Sequence, residues 1–401
     1  MLPKLMQMSD LNLTNKRVLI REDLNVPIQN AQITDYNRLE AAIPTIQMAQ
    51  QAGAKVLLLS HLGQPKPGNF APEYSLAPVA AALGELLKQP VSLIPNWLDH
   101  IELKSGEVAL AENVRFLPGE LENSPDLAKR MAKQCDIFVM DAFATAHRAQ
   151  SSTSAIIEFA PLACAGPLLI AELEALAKVL EHPQRPLAAI VGGAKVSSKI
   201  HLLNNLLSKV DCLIVGGGIA NTLLAADNKP IGKSLYEPAW LDQGKKLIEK
   251  AKEQQVMLPL PIDVVTAEEF SPVAKPHIKE IVDIKPNELI LDIGPQTAEL
   301  YSAYLKKAKM IIWNGPVGVF EFDQFSQGTR AIAKTISEST AYSVAGGGDT
   351  VSALNQFEIS DKISYISTGG GAFLELLEGK SLPAIDALMK RANENATHTT
   401  K

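Results

Sequence analysis

Short β-rich apolar runs alternate with longer helix-patterned stretches along all 401 residues of the chain. RVLIR is followed by RLEAAIPTIQMAQQAG and then KVLLLS; further on, CLIV is followed by ANTLLAA. A parallel strand can return to its sheet only through a crossover, so this alternation predicts βαβ units and an α/β fold. The sheets should be parallel, with helices on both faces. The chain is also too long for one ordinary core, so two domains are expected. The boundary is placed near 170–186, where AELEALAKVLEHPQRP has an amphipathic helical pattern stopped by Pro183 and Pro186. That helix serves equally well as a lever between two lobes or as a helix packed on one of them.

The residue types that end the apolar runs change at mid-chain. In the first half, VLIREDLNVP, VLLLSHLGQP, VALAENVRF and IFVMDAFATAHR place Arg21, Asp23, Asn25, His61, Arg115, His147 and Arg148 just past the runs. In the second half, LAAIVGGAK, CLIVGGGIANT, AYSVAGGGDT and ISYISTGGGA end in glycine. Open α/β sheets bind ligands beyond the carboxyl ends of their strands. Side-chain cations suit a small, multiply charged anion, whereas bare backbone amides opening a helix suit phosphates. The pattern implies two anion sites of different construction, and phosphoryl transfer between two bound molecules is the chemistry that needs both.

Composition narrows the classes. A net charge of −6 argues against general nucleic-acid binding. The N-terminal MLPKLMQMSDLNL lacks the apolar stretch of a secretory signal, and FAPLACAGPLLIA is short and broken twice by proline, so no membrane span is expected. Cys135, Cys164 and Cys212 form no CxxC pair, and Cys135 and Cys212 open apolar runs as core thiols do. A reduced, cytoplasmic enzyme fits these features.

In GGAKVSSK, Lys195 and Lys199 are four apart, which would put both ammonium groups on one face near a helix start, beside Gly192 and Gly193. That is a polyphosphate cradle; the plain alternative is a glycine turn with two solvated lysines. Gly216–Gly218 would let a flat ring approach the backbone, and Gly346–Gly348 followed by Asp349 and Thr350 adds a carboxylate suited to Mg²⁺. WNGPVGVFE ends in Glu321, which can accept from ribose hydroxyls. Two common nucleotide signatures are missing: Asp227 stands where GxxxxGK[ST] needs glycine, and no run satisfies GxGxxG. The second absence counts against a nicotinamide-dependent dehydrogenase on the same architecture.

From about Lys16 to Arg391 the chain resembles the phosphoglycerate kinases. RVLIREDLNVP, SHLGQP, ENVRF, DAFATAHRAQ, ACAGPLL, GGAKVSSK, VGGGIANT, WNGPVGVFE, AGGGDT and STGGGAFLELLEG occur in that family's order. The resemblance implies two similar-sized, Rossmann-like α/β domains joined by a hinge. The expected division is 1–170 for 3-phosphoglycerate, a 171–186 linker, 187–375 for nucleotide, and 376–401 returning to the first domain. It implies that Asp23, Leu24, Asn25, Arg38, His61, Leu62, Gly63, Gln64, Arg115 and Arg148 bind 3-phosphoglycerate. Lys195, Lys199, Gly216, Gly217, Asn314, Glu321, Gly347, Gly348, Asp349 and Thr350 are implied to bind ATP or ADP. Asp349 would anchor Mg²⁺; Arg38, Lys195 and Lys199 would surround the transferring phosphoryl group, near the helix-start amides of Thr368–Gly371. A monomer acting on small molecules is the family expectation. Three departures stand out: Gln64 replaces the arginine of SHLGRP, Glu40 stands where a basic residue is common, and Ala144 replaces the glycine of DAFGTAHR. A nucleotide-binding scaffold of weak activity is the alternative, although it has little use for Lys195, Lys199, Arg38 and Asp349 together.

Overall fold

The computed structural model describes residues 5–30, 32–99 and 101–399. The chain divides into two compact units, one running through Glu174 and rejoined by the segment from Ser381, the other Ala175–Lys380. The division falls inside one helix, Pro167–Leu180. That helix starts earlier than its sequence pattern suggests, because Pro167 opens it: in a first turn the missing N–H leaves no bond unmade. It ends at Leu180, ahead of Pro183. The later return to the first unit begins at Ser381 rather than 376, since the helix Gly371–Leu377 stays with the second unit.

The first unit holds β1 (Arg17–Arg21), a small β2–β3 pair (Ile28–Gln29 and Gln32–Ile33), β4 (Lys55–Leu59), β5 (Ser92–Ile94), β6 (Val108–Ala111), β7 (Ile137–Met140) and β8 (Leu162–Ala165). Six of these form one sheet in the order β5-β6-β4-β1-β7-β8, with every pairing parallel. β6 and β7 are buried throughout, as is β1 after Arg17. This is why they read as unbroken apolar runs rather than alternating ones. Val18, Ile20, Val56, Leu58 and Val139 pack against Leu39 and Ile46 of the helix Asn37–Gln51. The chain builds outward from β1 through β4 and then crosses back to β7, so the carboxyl ends of β1 and its neighbours open at the point where strand order reverses. The terminal helix Pro383–Thr399 docks on this unit: Ala384 N donates to Ala146 O at 3.1 Å and Arg391 Nη2 to Ala160 O at 2.9 Å.

The second unit holds β9 (Leu187–Val191), β10 (Cys212–Val215), β11 (Asp263–Ala267), β12 (His277–Glu280), β13 (Leu289–Ile293), β14 (Met310–Asn314), β15 (Tyr342–Ala345) and β16 (Tyr365–Ile366). Its main sheet has the order β10-β9-β14-β15-β16, parallel throughout, and reverses between β9 and β14. A smaller antiparallel sheet, β12-β11-β13, belongs to the same unit. No helix among the described residues is long and apolar enough to cross a membrane.

Candidate active site

In the first unit, the exits of β1, β4 and β6 are tied into one cluster. Asp23 Oδ2 lies 2.8 Å from Arg38 Nη1, and Arg38 also donates to Asn25 O at 2.9 Å. Asn25 Oδ1 accepts from Gly63 N at 2.9 Å, and Arg115 Nη1 donates to Gly63 O. Asn113, within the ENVRF run, donates to Leu62 O at 2.8 Å and so fixes the exit of β4. The side chains of Leu24 and Leu62 are core residues, 0% and 5% exposed, so of these two predicted ligands only the main chain is left to meet one. Leu24 N is itself spent on Ser60 Oγ, at 2.8 Å. Arg148 is exposed past β7 and donates through Nε to His147 Nε2 at 3.2 Å; Gln64 is exposed past β4. Glu40 is exposed on the helix Asn37–Gln51, and Ala144 sits in the short turn Phe143–Thr145.

Arg21 departs from its expected place among the anion-facing cations. It is fully buried, donating to Ser152 Oγ at 3.0 Å and to Glu22 O. A parallel strand buried on both faces points its last side chain inward, and the sequence gives no sign of the partner 131 positions away. Charge accumulates here. Burial lowers the Arg115 pKa to about 10, and Arg148 and Arg21 push it the same way. Burial holds His61 well below the ordinary histidine range, reinforced by Arg21, Arg115, Arg148 and Arg38. His61 is therefore a neutral hydrogen-bonding group. Guanidinium groups repelling one another at strand exits are relieved by a bound polyanion. Beneath them Glu22 is fully buried and pushed well above the usual carboxyl range, by burial and then by the charge of Asp141.

In the second unit, the segment after β9 is not helical at Lys195. The helix starts at Ile200, and Lys199 is its N-cap residue with φ −127° and ψ 6°. The two lysines therefore do not share a helix face. The Ser197 hydroxyl and N–H both donate to Glu237, at 2.6 and 2.7 Å, which holds this segment in its turn. Lys199 Nζ sits at the strand-order reversal, donating to Gly192 O at 2.6 Å and Asn314 Oδ1 at 2.7 Å. Asn314 Nδ2 donates to Gly346 O at 2.7 Å, so its whole amide serves to hold Lys199 between the exits of β9, β14 and β15. Burial lowers the Lys199 pKa to about 8, against the opposing pull of Asp349. Lys195 is exposed.

The Thr350 hydroxyl is likewise occupied, accepting from Gly315 N at 2.7 Å and donating to Gly346 O at 2.9 Å. Two glycines are required by the backbone. Gly217 has φ +64° and a Cβ there would lie 2.8 Å from Gly193 O; Gly347 has φ +97° and a Cβ would lie 2.7 Å from Asn314 Nδ2. Gly216 is packed as closely against Val317, so Gly216 and Gly217 first let backbone approach backbone. Gly348 meets nothing and is open.

A cavity of about 570 Å³ opens here, with Gly193, Gly217, Gly218 and Asp349 at one end, apolar walls of Leu235, Leu289 and Val319, and Glu321 on its rim. A larger groove of about 870 Å³ lies between β12 and the helices Pro295–Leu305 and Gln327–Ser337. Its lining contains none of the residues singled out in the sequence. Asp292, which no sequence motif singled out, also lines the smaller cavity. Its carboxyl accepts from Gly328 N at 2.7 Å and Ile293 N at 2.9 Å, and burial pushes its pKa up to about 8.

Cations gathered at one parallel sheet's strand exits, and a lysine-bearing, glycine-walled cavity at another's, define an α/β enzyme of the phosphotransferase class. Comparison with known proteins specifies it. The phosphoglycerate kinase family model matches residues 8–380. A phosphoglycerate kinase of Coxiella burnetii (strain RSA 493 / Nine Mile phase I) is 58% identical over 387 residues, covering 96% of this chain and 99% of that protein. The solved structure of phosphoglycerate kinase from Coxiella burnetii superposes with a TM-score of 0.93, covering 97% of this chain and 100% of the other. That of the Pyrococcus horikoshii OT3 enzyme, 32% identical, gives 0.80 over 97% and 99% of the two chains. The chain belongs to the phosphoglycerate kinase family. Its activity is reversible phosphoryl transfer between ATP and the carboxylate of 3-phosphoglycerate, giving ADP and 1,3-bisphosphoglycerate.

Proposed function

We propose that the cationic cluster of the first unit binds 3-phosphoglycerate and the cavity of the second binds the nucleotide as its Mg²⁺ complex. In this reading Arg38, His61, Arg115 and Arg148 meet the acid, with Asp23 and Asn25 accepting from its hydroxyl and orienting Arg38. Lys199, the main-chain groups around Gly216–Gly217 and Gly347–Thr350, and Glu321 meet the nucleotide. Lys195 closes over the phosphates from the exposed turn. Among the described residues no three His, Cys, Asp or Glu side chains converge to hold a metal. Asp349 is a single exposed carboxylate in the first turn of the helix Gly348–Gln356. One carboxylate fits Mg²⁺, which takes most of its remaining ligands from phosphate oxygens and water. When bound, the ion would neutralise phosphate charge.

No protein base is needed. The acceptor carboxylate is ionised near pH 7, since such groups have pKa values around ~3.5–4.3. Catalysis reduces to aligning two anions and stabilising the charge on the transferring group, which Arg38, Lys195 and Lys199 supply as preorganised cations. Because the two ligands belong to different units, transfer requires the units to bring them together, and the 171–186 segment is the proposed hinge. We place the enzyme as a monomer in the cytoplasm, which the three buried free thiols support.

The observation that carries this reading is Lys199, a partly desolvated ammonium pinned between Gly192 O and Asn314 Oδ1 at the mouth of the sheet. A coupled assay of acyl-phosphate formation from MgATP and 3-phosphoglycerate tests it. Lys199→Ala is expected to lower turnover by ~10²-fold or more, the scale for losing one preorganised charge-stabilising group. Undiminished turnover would remove Lys199 from the mechanism.

A further inference from the structure

We propose that Arg21 is a positioning residue that pins His61 as the neutral tautomer with its proton on Nε2. This rests on the reading that His61 faces 3-phosphoglycerate. Arg21 Nη2 lies 3.3 Å from His61 Nδ1, and both side chains are buried. A guanidinium has five N–H groups and no acceptor. Nδ1 must therefore accept, and the one ring proton stands on Nε2, the nitrogen left for a ligand oxygen. An imidazolium would set a second N–H against Arg21.

Arg21 is held in turn. It donates through Nε to Ser152 Oγ at 3.0 Å; Ser152 donates through Oγ to Glu120 Oε1 at 2.5 Å and through N to Glu120 Oε2 at 3.0 Å. Its Nη1 donates to Glu22 O. Arg21 thus donates in both directions, to His61 on one side and to Ser152 on the other, and Ser152 passes the restraint on to the buried Glu120. The other charged groups around His61 are Asp23, with Oδ1 4.0 Å from Nδ1, and Arg38, Arg115 and Arg148. Three of those four disfavour a charged ring, so the second layer and the first agree. The result is a hydrogen-bond donor without charge inside a site otherwise built of cations. Its strength does not vary across the range where an ordinary histidine titrates.

The test is ¹⁵N NMR of the full-length protein labelled at its seven histidines, with His61 identified by its loss in His61→Gln. The expected result in the free wild-type protein is an unprotonated Nδ1 and a protonated Nε2, unchanged between about pH 8 and pH 5. A proton on Nδ1, or titration to imidazolium within that range, would overturn the inference. Adding 3-phosphoglycerate should move the Nε2 signal. If the tautomer is as proposed but saturating ligand moves neither nitrogen, His61 is not at the substrate and Arg21 has no role in binding it. In Arg21→Lys the ring should begin to titrate, and KM for 3-phosphoglycerate should rise on the order of tenfold with kcat nearly unchanged. A purely structural Arg21 would lower thermal stability while leaving the tautomer and KM as in wild type.

Discussion

Replacing pH 7 by pH 9 should weaken nucleotide binding about tenfold, through Lys199 alone. Burial lowers this ammonium to about 8, although two carbonyl oxygens and the charge of Asp349 favour its charged form. Because the folded value lies below the ordinary lysine value, the charge is lost as pH rises through about 8. With that midpoint, roughly nine-tenths of Lys199 is charged at pH 7 and roughly one-tenth at pH 9. A bound polyphosphate favours the ammonium, so affinity falls with the charged fraction and binding takes up a proton above the midpoint. The phosphate of the ligand adds no step of its own there, since its last ionisation lies near ~6. Calorimetric titration of MgATP at several pH values, repeated in buffers of different ionisation enthalpy, reads both the affinity and the proton. Lys199→Met should bind weakly and without this step, whereas Lys195→Met, at an exposed lysine, should keep it. A wild-type affinity flat from pH 7 to pH 9, or a step surviving in Lys199→Met, would show that the Lys199 charge does not set nucleotide affinity.

Arg38→Ala should reduce turnover by ~10²-fold or more in the coupled assay, because the Asp23–Arg38 pair at 2.8 Å orients a charge for the acyl group; unchanged turnover would take Arg38 out of the mechanism. Gln64→Arg is expected to tighten 3-phosphoglycerate binding, since position 64 is exposed beside Gly63 and its amide brings no charge. Calorimetry finding equal or weaker binding would place Gln64 off the ligand. Asp292 is raised to about 8 by burial, so between about pH 4 and 8 the folded protein holds a proton that the unfolded chain has lost. Its contribution to stability therefore falls as pH rises across that window. Denaturant unfolding should show the stability of wild type relative to Asp292→Asn declining from pH 5 to pH 8, and a constant difference would return Asp292 to the ordinary range.

Much of this was legible because strand exits in parallel sheets carry ligand chemistry. Asp23, Asn25, His61 and Arg115 come just after short apolar runs, and the topology brings those runs to one edge. Lys199 and Asp349 were legible for the same reason, each coming just after a glycine-ended strand. What local pattern misjudged was conformation. GGAKVSSK has a helix-like spacing, but the Glu237 carboxylate holds Ser197 in a turn and delays the helix to Ile200. What it could not reach was pairing at long range. Arg21 reads as one more cation until Ser152 is found beside it, and the hydrogen bonds made by the Thr350 hydroxyl and the Asn314 amide lie outside any local motif. Asp292 carries no motif, since its role depends on Gly328 approaching from the helix Gln327–Ser337.

In the proposed function two chemically different anion sites reside on separate units. Calorimetric titration of each ligand into Lys199→Ala and Arg38→Ala separates them. Lys199→Ala should weaken MgATP by about tenfold or more and leave 3-phosphoglycerate nearly unchanged, with Arg38→Ala doing the reverse. Equal weakening of both ligands by either variant would contradict that placement.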